Sequence, residues 1–358
     1  MKKFKLVVSD FHVSKGLLLE DGSLNLLEDF LYDEEFIDFL RFFSSDEFKR
    51  ADVELIFNGD FLNTLQVDLR EENPTFITES LSLAKVRAII EGHREMFETL
   101  KEFARAPHHS ITIIPGNHDP AFLWPSVRDA FAGYLETEVK YPMPFYRFDG
   151  FHVEHGNQYT AINGYEHNKY FIHKEVPEPI INLPWGSLFI IGYLNRVKQW
   201  RNVVDKVRPL RSYLRWTLFN DPVFGVWAIS KLVMFFIKTR FLAKPFWEMG
   251  LSKTWRILRE GLTLVPNLDN SAKELLFKND VHTVIMGHTH AYTHRIFRSD
   301  KEYFNTGTWN DIIFLDIENL GRRRKLTFVL IEYPLKGRPK AKLMEWRGLQ
   351  NPMREVRY

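Results

Sequence analysis

The stretch SITIIPGNHD, residues 110–119, joins a short apolar run directly to a turn that carries Asn117, His118 and Asp119. We interpret it as a buried strand with a polar cluster at its carboxyl end. In open α/β sheets, ligands bind beyond the carboxyl ends of the strands. Four other apolar runs end in the same way, and we expect all five clusters to converge at one edge of a sheet: KLVVSDFH (5–12), VELIFNGD (53–60), FHVEHG (151–156) and VHTVIMGHTH (281–290).

The chemistry of the clusters predicts a metal site. Carboxylates and imidazoles together are the ligands of borderline divalent metals such as Mn, Fe or Zn. Asp10 and His12 are two residues apart, so at a strand end their side chains point to the same side, and the same spacing brings His288 and His290 together. Asp60 offers two carboxylate oxygens, which suffice to bridge two ions.

Taken in order, the D-x-H, G-D, G-N-H-D, H-G and G-H-T-H motifs resemble those of the calcineurin-like metallophosphoesterase superfamily. The resemblance covers residues 1–159 and 270–320. It implies an α/β (α+β) fold, namely a four-layer αββα sandwich of two mixed sheets, here with a helical insertion.

The resemblance also implies a role for each motif residue. His118 would be the catalytic histidine that does not bind metal, Asp119 would orient it, and Asn63 and Asn305 would contact substrate. The implied cofactors are two divalent metal ions, with Mn expected and Fe or Zn as alternatives. The implied ligands are Asp10, His12, Asp60 and His290 for one ion, and Asp60, Asn117, His155 and His288 for the other.

The implied reaction is hydrolysis of a phosphoester or pyrophosphate. In two-metal chemistry, two ions roughly 3.5–4 Å apart clamp the phosphoryl oxygens and activate a bridging hydroxide for in-line attack. His118 would donate a proton to the leaving oxygen. We therefore expect a metal-dependent phosphohydrolase.

Charge divides the chain into three parts. The net charge of +2 conceals a basic segment at 160–259, with 16 Lys and Arg against 6 Asp and Glu, and a basic tail at 322–358, with 11 against 3. We predict a discontinuous catalytic domain at 1–159 and 260–321, a helical insertion at 160–259, and a C-terminal strand and tail at 322–358. Basic segments on an acidic body favour an anionic partner.

Two motifs limit the branches of the superfamily that the chain can resemble. Ser/Thr protein phosphatases carry G-D-x-V-D-R-G and G-N-H-E, whereas this chain has GDFLNTL (59–65) and GNHDPAF (116–122), which argues against that branch. The closest resemblance is to UDP-2,3-diacylglucosamine hydrolases and related bacterial phosphoesterases. A nuclease or a cyclic-nucleotide phosphodiesterase is the alternative enzyme, and a metal-bound protein-interaction module is the non-enzyme alternative.

The inserted segment includes VWAISKLVMFFIKTRFLAKPFW, residues 226–247, where basic residues interrupt an apolar helical pattern. Its longest uncharged piece, 232–237, is far shorter than the roughly 20 residues that span a bilayer. We therefore expect peripheral membrane contact through residues 186–247, with a lipid-linked phosphoester as substrate. Packing against the body is the alternative, and nucleic acid is the less favoured partner because the basic residues lie in apolar helical patterns.

The remaining local patterns are ordinary. Helical periodicity is predicted at 33–43 and at 78–105, and Asp149-Gly150 predicts a hairpin turn. The absence of cysteine excludes disulfides and thiolate chemistry. MKKFKLVVSDFH, residues 1–12, lacks the long apolar run of a signal peptide, so a cytoplasmic location, peripheral to the inner face of the membrane, is expected.

Overall fold

The computed structural model describes residues 1–70, 74–166, 169–208, 210–239, 255–257, 267–278, 280–298, 300–315, 321–323 and 325–356. The strands, in chain order, are β1 (Lys3–Val8), β2 (Asp52–Asn58), β3 (His109–Ile114), β4 (Val139–Lys140), β5 (Tyr146–Phe148), β6 (Phe151–Val153), β7 (Phe171–Ile172), β8 (Ile180–Ile181), β9 (Val207–Arg208), β10 (Thr283–Met286), β11 (Thr293–Arg298), β12 (Lys301–Asn305), β13 (Ile312–Phe314), β14 (Gly321–Arg323), β15 (Leu326–Glu332), β16 (Lys340–Trp346) and β17 (Met353–Glu355).

Helices connect the strands and also occur in the described part of the inserted segment. A π-helical turn, Ile190–Leu194, joins the fifth helix to the sixth. The helices are α1 (Asp33–Phe42), α2 (Glu79–Gly92), α3 (Arg94–Arg105), α4 (Pro125–Leu135), α5 (Trp185–Phe189), α6 (Asn195–Lys198), α7 (Leu210–Asn220), α8 (Pro222–Ile237) and α9 (Asp269–Lys278).

Two mixed sheets form the centre of the body. The larger has the order β17-β16-β15-β1-β2-β3-β4, in which β1 to β4 run parallel and β15 pairs antiparallel with β1. The smaller has the order β11-β12-β10-β6-β5, with β6, β10 and β12 parallel. Three strands from residues 322–358 thus complete the larger sheet, so this segment is more than the strand and tail that its charge indicated.

Apolar side chains fill the three interfaces between the four layers of the body. Val7 and Ile56 of the larger sheet pack with Ile285 and Phe304 of the smaller one in a buried cluster between the sheets. Helices α1 to α4 cover the outer face of the larger sheet, and α9 covers that of the smaller one. This arrangement confirms the predicted mixed α/β fold, an αββα sandwich.

The helix predicted at 78–105 is in fact two helices, α2 and α3, with a break at Gly92-His93. A Cβ on Gly92 would lie 2.2 Å from the carbonyl oxygen of Lys15, so close backbone contact requires glycine there. The His93 side chain turns inward, with Nδ1 2.7 Å from Asp33 and Nε2 3.2 Å from Glu28. Tertiary contacts therefore override the continuous helical periodicity.

The inserted segment is attached to the body by several contacts and ends in an apolar hairpin, the name used here for helices α7 and α8. Strand β9 of the insertion pairs with β13 of the body. In the apolar hairpin, Phe219 is 86% exposed and Val223 80% exposed, and Lys231 is exposed beside them. Within the described residues, every helix is too short or too polar to cross a membrane. Residues 240–247 of the predicted interfacial stretch lie outside the described residues.

Candidate metal centre

The five polar clusters meet where the strands of both sheets end. Asp10 and His12 follow β1, Asp60 follows β2, and Asn117 and His118 follow β3 of the larger sheet. From the smaller sheet, His155 follows β6, and His288 and His290 follow β10. The sandwich therefore brings residues separated by up to 280 positions into one site, and all but His118, His288 and His290 are fully buried.

The backbone at this edge is strained. Asp10, His12, Asp60, His288 and His290 all have positive φ, between 52° and 69°. Non-glycine residues rarely adopt this left-handed conformation, which costs about 1–3 kcal/mol each and is concentrated at functional sites. The tight turns aim five of the seven predicted ligands into the same space.

The first ligand group surrounds Asp10. Its Oδ1 lies 3.3 Å from Nε2 of His290 and 3.9 Å from Nε2 of His12, and the two imidazole nitrogens are 3.0 Å apart. The Asp10 carboxylate also accepts hydrogen bonds from the Ser9 hydroxyl and from the backbone N–H of His288, at 3.0 Å to Oδ2. These donors fix the carboxylate toward the two histidines.

The second ligand group surrounds Asp60. Its Oδ2 lies 3.1 Å from Nε2 of His155 and 3.9 Å from Nε2 of His12, so this carboxylate stands between the two groups. His288 completes the second group, with one ring nitrogen within 4.8 Å of the ligand atoms of Asp60 and His155.

Two glycines make the close approach around Asp60 feasible. A Cβ on Gly116 would lie 2.2 Å from Asp60 Oδ1, and one on Gly59 would lie 2.2 Å from the His155 ring. Asn117 Oδ1 is buried, and none of the described groups donates a hydrogen bond to it. Convergent carboxylates, imidazoles and an unpaired amide oxygen are a donor set that would suit divalent cations, and Asp60 is the residue that the two predicted ligand sets have in common.

The electrostatics prepare these groups for ligation. Burial alone would raise the pKa of Asp60, but the nearby imidazoles of His155 and His118 outweigh it and hold this pKa well below its usual range. Burial and the neighbouring His118 lower the pKa of His12 well below its usual value, and burial and His155 lower that of His288 to about 3. Burial also lowers the pKa of His155, but Asp60 outweighs it and raises the value to about 10. Metal ligation requires a deprotonated imidazole, so loading should release a proton from His155.

His118 lies beside this centre, and its ring is held by Asn63. The ring stands edge-on to that of His12, with centroids 4.4 Å apart, and its Nδ1 lies 3.1 Å from the Asn63 amide. Its backbone N–H donates to Asp60 Oδ1 at 2.8 Å. Asn63 is buried and contacts the His118 ring, and its predicted contact with substrate stays a prediction.

Asp119 and Asn305 hydrogen-bond the backbone next to the site, and their predicted roles stay predictions. Asp119 accepts hydrogen bonds from the backbone N–H groups of Gly116, at 2.5 Å, and Phe61, at 3.0 Å, so its carboxylate stabilises the turns. Burial and the charge of Asp60 raise the pKa of Asp119 to about 7. Asn305 donates to the Gly287 carbonyl at 2.7 Å and is buried, so it supports the loop that carries His288.

Several site residues were missed by sequence reasoning. Ser9 donates to Asp10, and the Asn58 carbonyl lies 2.9 Å from His155 Nδ1. Asn163 Nδ2, from the start of the insertion, lies 3.3 Å from His288 Nε2. Ser9 and Asn58 immediately precede motif residues and could have been suspected from that position, whereas no local signal marks Asn163.

The family is shown by comparison with known proteins. Residues 6–231 match the family model of the calcineurin-like phosphoesterases, which is more than half of the chain. The protein therefore belongs to the calcineurin-like phosphoesterase family. None of the curated proteins compared matches it significantly.

Solved structures with a similar fold are distant in sequence. A dimetal phosphatase from Danio rerio is 10% identical, covers 99% of this chain and 98% of its own, and has a TM-score of 0.36. The phosphopantetheinyl hydrolase PptH from Mycobacterium tuberculosis is 12% identical, with 86% and 90% covered and a TM-score of 0.29. Vps29 from Entamoeba histolytica complexed with Zn is 11% identical, with 99% and 98% covered and a TM-score of 0.31.

Proposed function

We propose that this protein is a dinuclear-metal-dependent phosphohydrolase. The observation that carries the proposal is the convergence of seven carboxylate, imidazole and amide side chains at one edge, five of them on strained backbone. Divalent ions, when bound there, would supply Lewis acidity that neutralises phosphoryl charge and acidifies water. Asp60 and Asp10 would hold them together with the imidazoles.

The protein's own residues complete this proposed chemistry. His118 lies beside His12 and Asp60, close enough to count as a further candidate ligand, and burial lowers its pKa, so its ring is neutral near pH 7. In the proposed reaction the neutral ring keeps its proton and donates a hydrogen bond that stabilises the negative charge developing on the leaving oxygen as the phosphorus–oxygen bond breaks; the released oxyanion then takes a proton from water.

We further propose a lipid-linked or nucleotide-linked phosphoester or pyrophosphate as the substrate, taken up at the inner face of a membrane. Two features support this. The apolar hairpin presents large apolar side chains to solvent, and its exposed charged residues Arg215 and Lys231 are basic, a combination that fits an anionic membrane interface. Its acidic residue, Asp221, already pairs with Arg201 and caps α8 through the N–H of Phe224.

The activity is tested with the full chain loaded with Mn(II). Aryl phosphate monoesters and diesters, nucleotide pyrophosphates and lipid-linked phosphates are screened, and bound metal is counted by mass spectrometry. Two ions per chain and hydrolysis of one class are expected. Asp60→Asn should lose both, while Asp129→Asn, an exposed acid on α4, should keep both. A metal-free protein that is inactive on every class would contradict the proposal and favour the protein-interaction module.

Membrane contact is tested separately by flotation with vesicles of anionic or zwitterionic lipid over a salt series. The wild type should float with anionic vesicles, and Phe219→Asp should abolish this. Leu335→Asp, at an equally exposed apolar residue outside the hairpin, should float normally. Retention on DNA in place of vesicles would support the nuclease alternative.

A further inference from the structure

A buried amide, that of Gln66, links His118 to charged residues of the insertion. The Gln66 side chain touches Asn63 on one side, and Asn63 in turn touches the His118 ring. On the other side, Gln66 meets the ion pair of Lys198 and Asp29, in which Lys198 Nζ lies 2.7 Å from both carboxylate oxygens. Lys198 belongs to α6 and is completely buried, so the insertion contributes to the interior of the site.

The ion pair determines which end of the Gln66 amide is nitrogen. One end lies 2.9 Å from Asp29 Oδ2, and the other lies 3.1 Å from Lys198 Nζ. A carboxylate only accepts hydrogen bonds and an ammonium only donates them, so the end at Asp29 must be the NH₂ and the end at Lys198 must be the oxygen. Burial alone would raise the pKa of Asp29, but Lys198 and Lys206 outweigh it, which keeps this acceptor ionised.

The opposite orientation of Gln66 is much less favourable. It would place the amide oxygen against the Asp29 carboxylate and the NH₂ group against the Lys198 ammonium, and in return would gain a single 3.4 Å contact to Asn195 Oδ1. Gln66 is 1% exposed, so water does not relieve these contacts. A buried polar group left without a partner costs about 1–3 kcal/mol.

The orientation of the Gln66 amide then determines the orientation of the Asn63 amide. The NH₂ of Gln66 lies 2.5 Å from the nearest atom of the Asn63 amide, which must therefore be an acceptor, the oxygen. The Asn63 nitrogen is thereby turned toward His118 Nδ1, 3.1 Å away. A ring nitrogen that accepts from an amide N–H carries no proton, and a neutral imidazole then carries its proton on the other nitrogen.

We propose that Lys198 and Asp29 fix the tautomer of His118 through the amides of Gln66 and Asn63, so that Nε2 carries the proton. Gln66 and Asn63 are positioning residues in this scheme: they act through His118. The ring nitrogen left for the metal-ligand groups is then a hydrogen-bond donor, which is the state that the proposed contact with the leaving oxygen requires. The insertion thus contributes the charge that selects this state.

The inference deepens the proposed function, because its catalytic consequence rests on His118 as the hydrogen-bond donor to the leaving oxygen. The tautomer itself is measurable without turnover. The ¹⁵N resonances of the histidine rings are recorded on metal-free full-length protein near neutral pH, and those of His118 are assigned by their loss in His118→Gln. The expected wild-type signature is a protonated Nε2 and an unprotonated Nδ1. A protonated Nδ1 in the wild type would overturn the proposal.

The variant Gln66→Glu tests the chain of contacts that runs from Lys198 and Asp29 through Gln66 and Asn63 to His118, called the relay below. The substituted residue does not touch the His118 ring. The new carboxylate has the same shape but accepts from Asn63, so the Asn63 amide should turn, present its oxygen to His118, and move the proton to Nδ1. Gln199→Glu adds the same charge at an exposed position just after α6 and should leave the wild-type signature. An unchanged tautomer in folded Gln66→Glu, or the same change in Gln199→Glu, would overturn the relay.

Activity is the second readout. In an active preparation, Gln66→Glu should lower kcat by about 10²–10³-fold, the range for loss of one hydrogen-bond donor to a developing oxyanion, with little change in KM. If no preparation hydrolyses phosphoesters, the proposed function fails, yet the NMR signature still decides whether the relay exists.

Discussion

At the strand ends of the body, carboxylates and imidazoles are buried, whereas in the apolar hairpin large apolar side chains face solvent. Both arrangements reverse the usual distribution, in which charged groups are exposed and large apolar groups are covered. Asp60 is 1% exposed, and Phe219 is 86% exposed. The reversal at the strand ends is accompanied by strained backbone, while the hairpin residues named above do not have positive φ.

This difference indicates two kinds of surface. The strand ends are preorganised: short turns, close glycines and backbone hydrogen bonds hold each ligand, as expected for chemistry that needs fixed distances. In the hairpin, Phe219 and Val223 are held by the helices that carry them but face solvent, the arrangement that the proposed membrane contact needs. Each of the following substitutions changes only one of the two regions.

The largest effect is expected at the strand ends. His118→Ala removes the proposed hydrogen-bond donor to the leaving oxygen but none of the predicted metal ligands, so kcat should fall by about 10²–10³-fold with bound metal unchanged. Turnover and metal content are measured together on the same preparation. His173→Ala, at an exposed histidine of the insertion, should have wild-type turnover. Full activity in His118→Ala would remove this residue from the proposed mechanism.

The next largest effect is expected on the free energy of unfolding, for which one substitution in each region is compared. Phe39 of α1 is completely buried and packs against Trp309, Phe43 and Phe328, so Phe39→Ala should lower the free energy of unfolding by about 3–5 kcal/mol. Phe219→Ala should change it by less than about 0.5 kcal/mol, because the ring is already in solvent. Urea titration of both variants provides the comparison. A large loss in Phe219→Ala would mean that the hairpin is packed in solution.

Much of the body could be predicted from sequence because its signals are local. An apolar run followed by Asp, His or Asn marks a strand and the polar cluster at its end, as in KLVVSDFH, whereas the αββα sandwich and the predicted ligand set came from the family resemblance that these motifs carry. Asp149 and Gly150 likewise form the expected turn between β5 and β6.

The remaining features depend on contacts between distant residues. The break at His93 requires Asp33 and Glu28, and the contact of Asn63 with His118 crosses from one strand end to the next. Asp119 lies beside His118 in the sequence, but its hydrogen bonds to the backbone of the neighbouring turns could not be predicted from that position. The pairing of strands from residues 322–358 within the larger sheet could likewise not be predicted, because the charge of a segment does not indicate which strands pair.

A third, smaller change in the free energy of unfolding is expected when the pH is raised. Burial alone would lower the pKa of His93, but its hydrogen bonds to Asp33 and Glu28 outweigh burial and raise the value to about 9. Since this pKa is above the unfolded value of about 6.5, the protonated ring stabilises the fold fully below pH 6.5, and the contribution of about 3 kcal/mol is lost as pH rises through 9. The stability of the wild type is compared with that of His93→Gln from pH 6 to 10. The gap should close with rising pH; a constant gap would show that His93 contributes packing alone.

The smallest effect is expected in the apolar hairpin. Near an anionic membrane surface, each basic residue contributes about 1 kcal/mol to binding. Lys231→Gln should therefore weaken partition into anionic vesicles by about fivefold, and the difference should shrink in high salt because screening weakens the attraction. Lys49→Gln, at an exposed lysine of the body, should partition like the wild type. Equal losses in both variants would assign the attraction to total charge, and the distinction between a preorganised edge and a membrane-facing hairpin would then rest on the apolar residues alone.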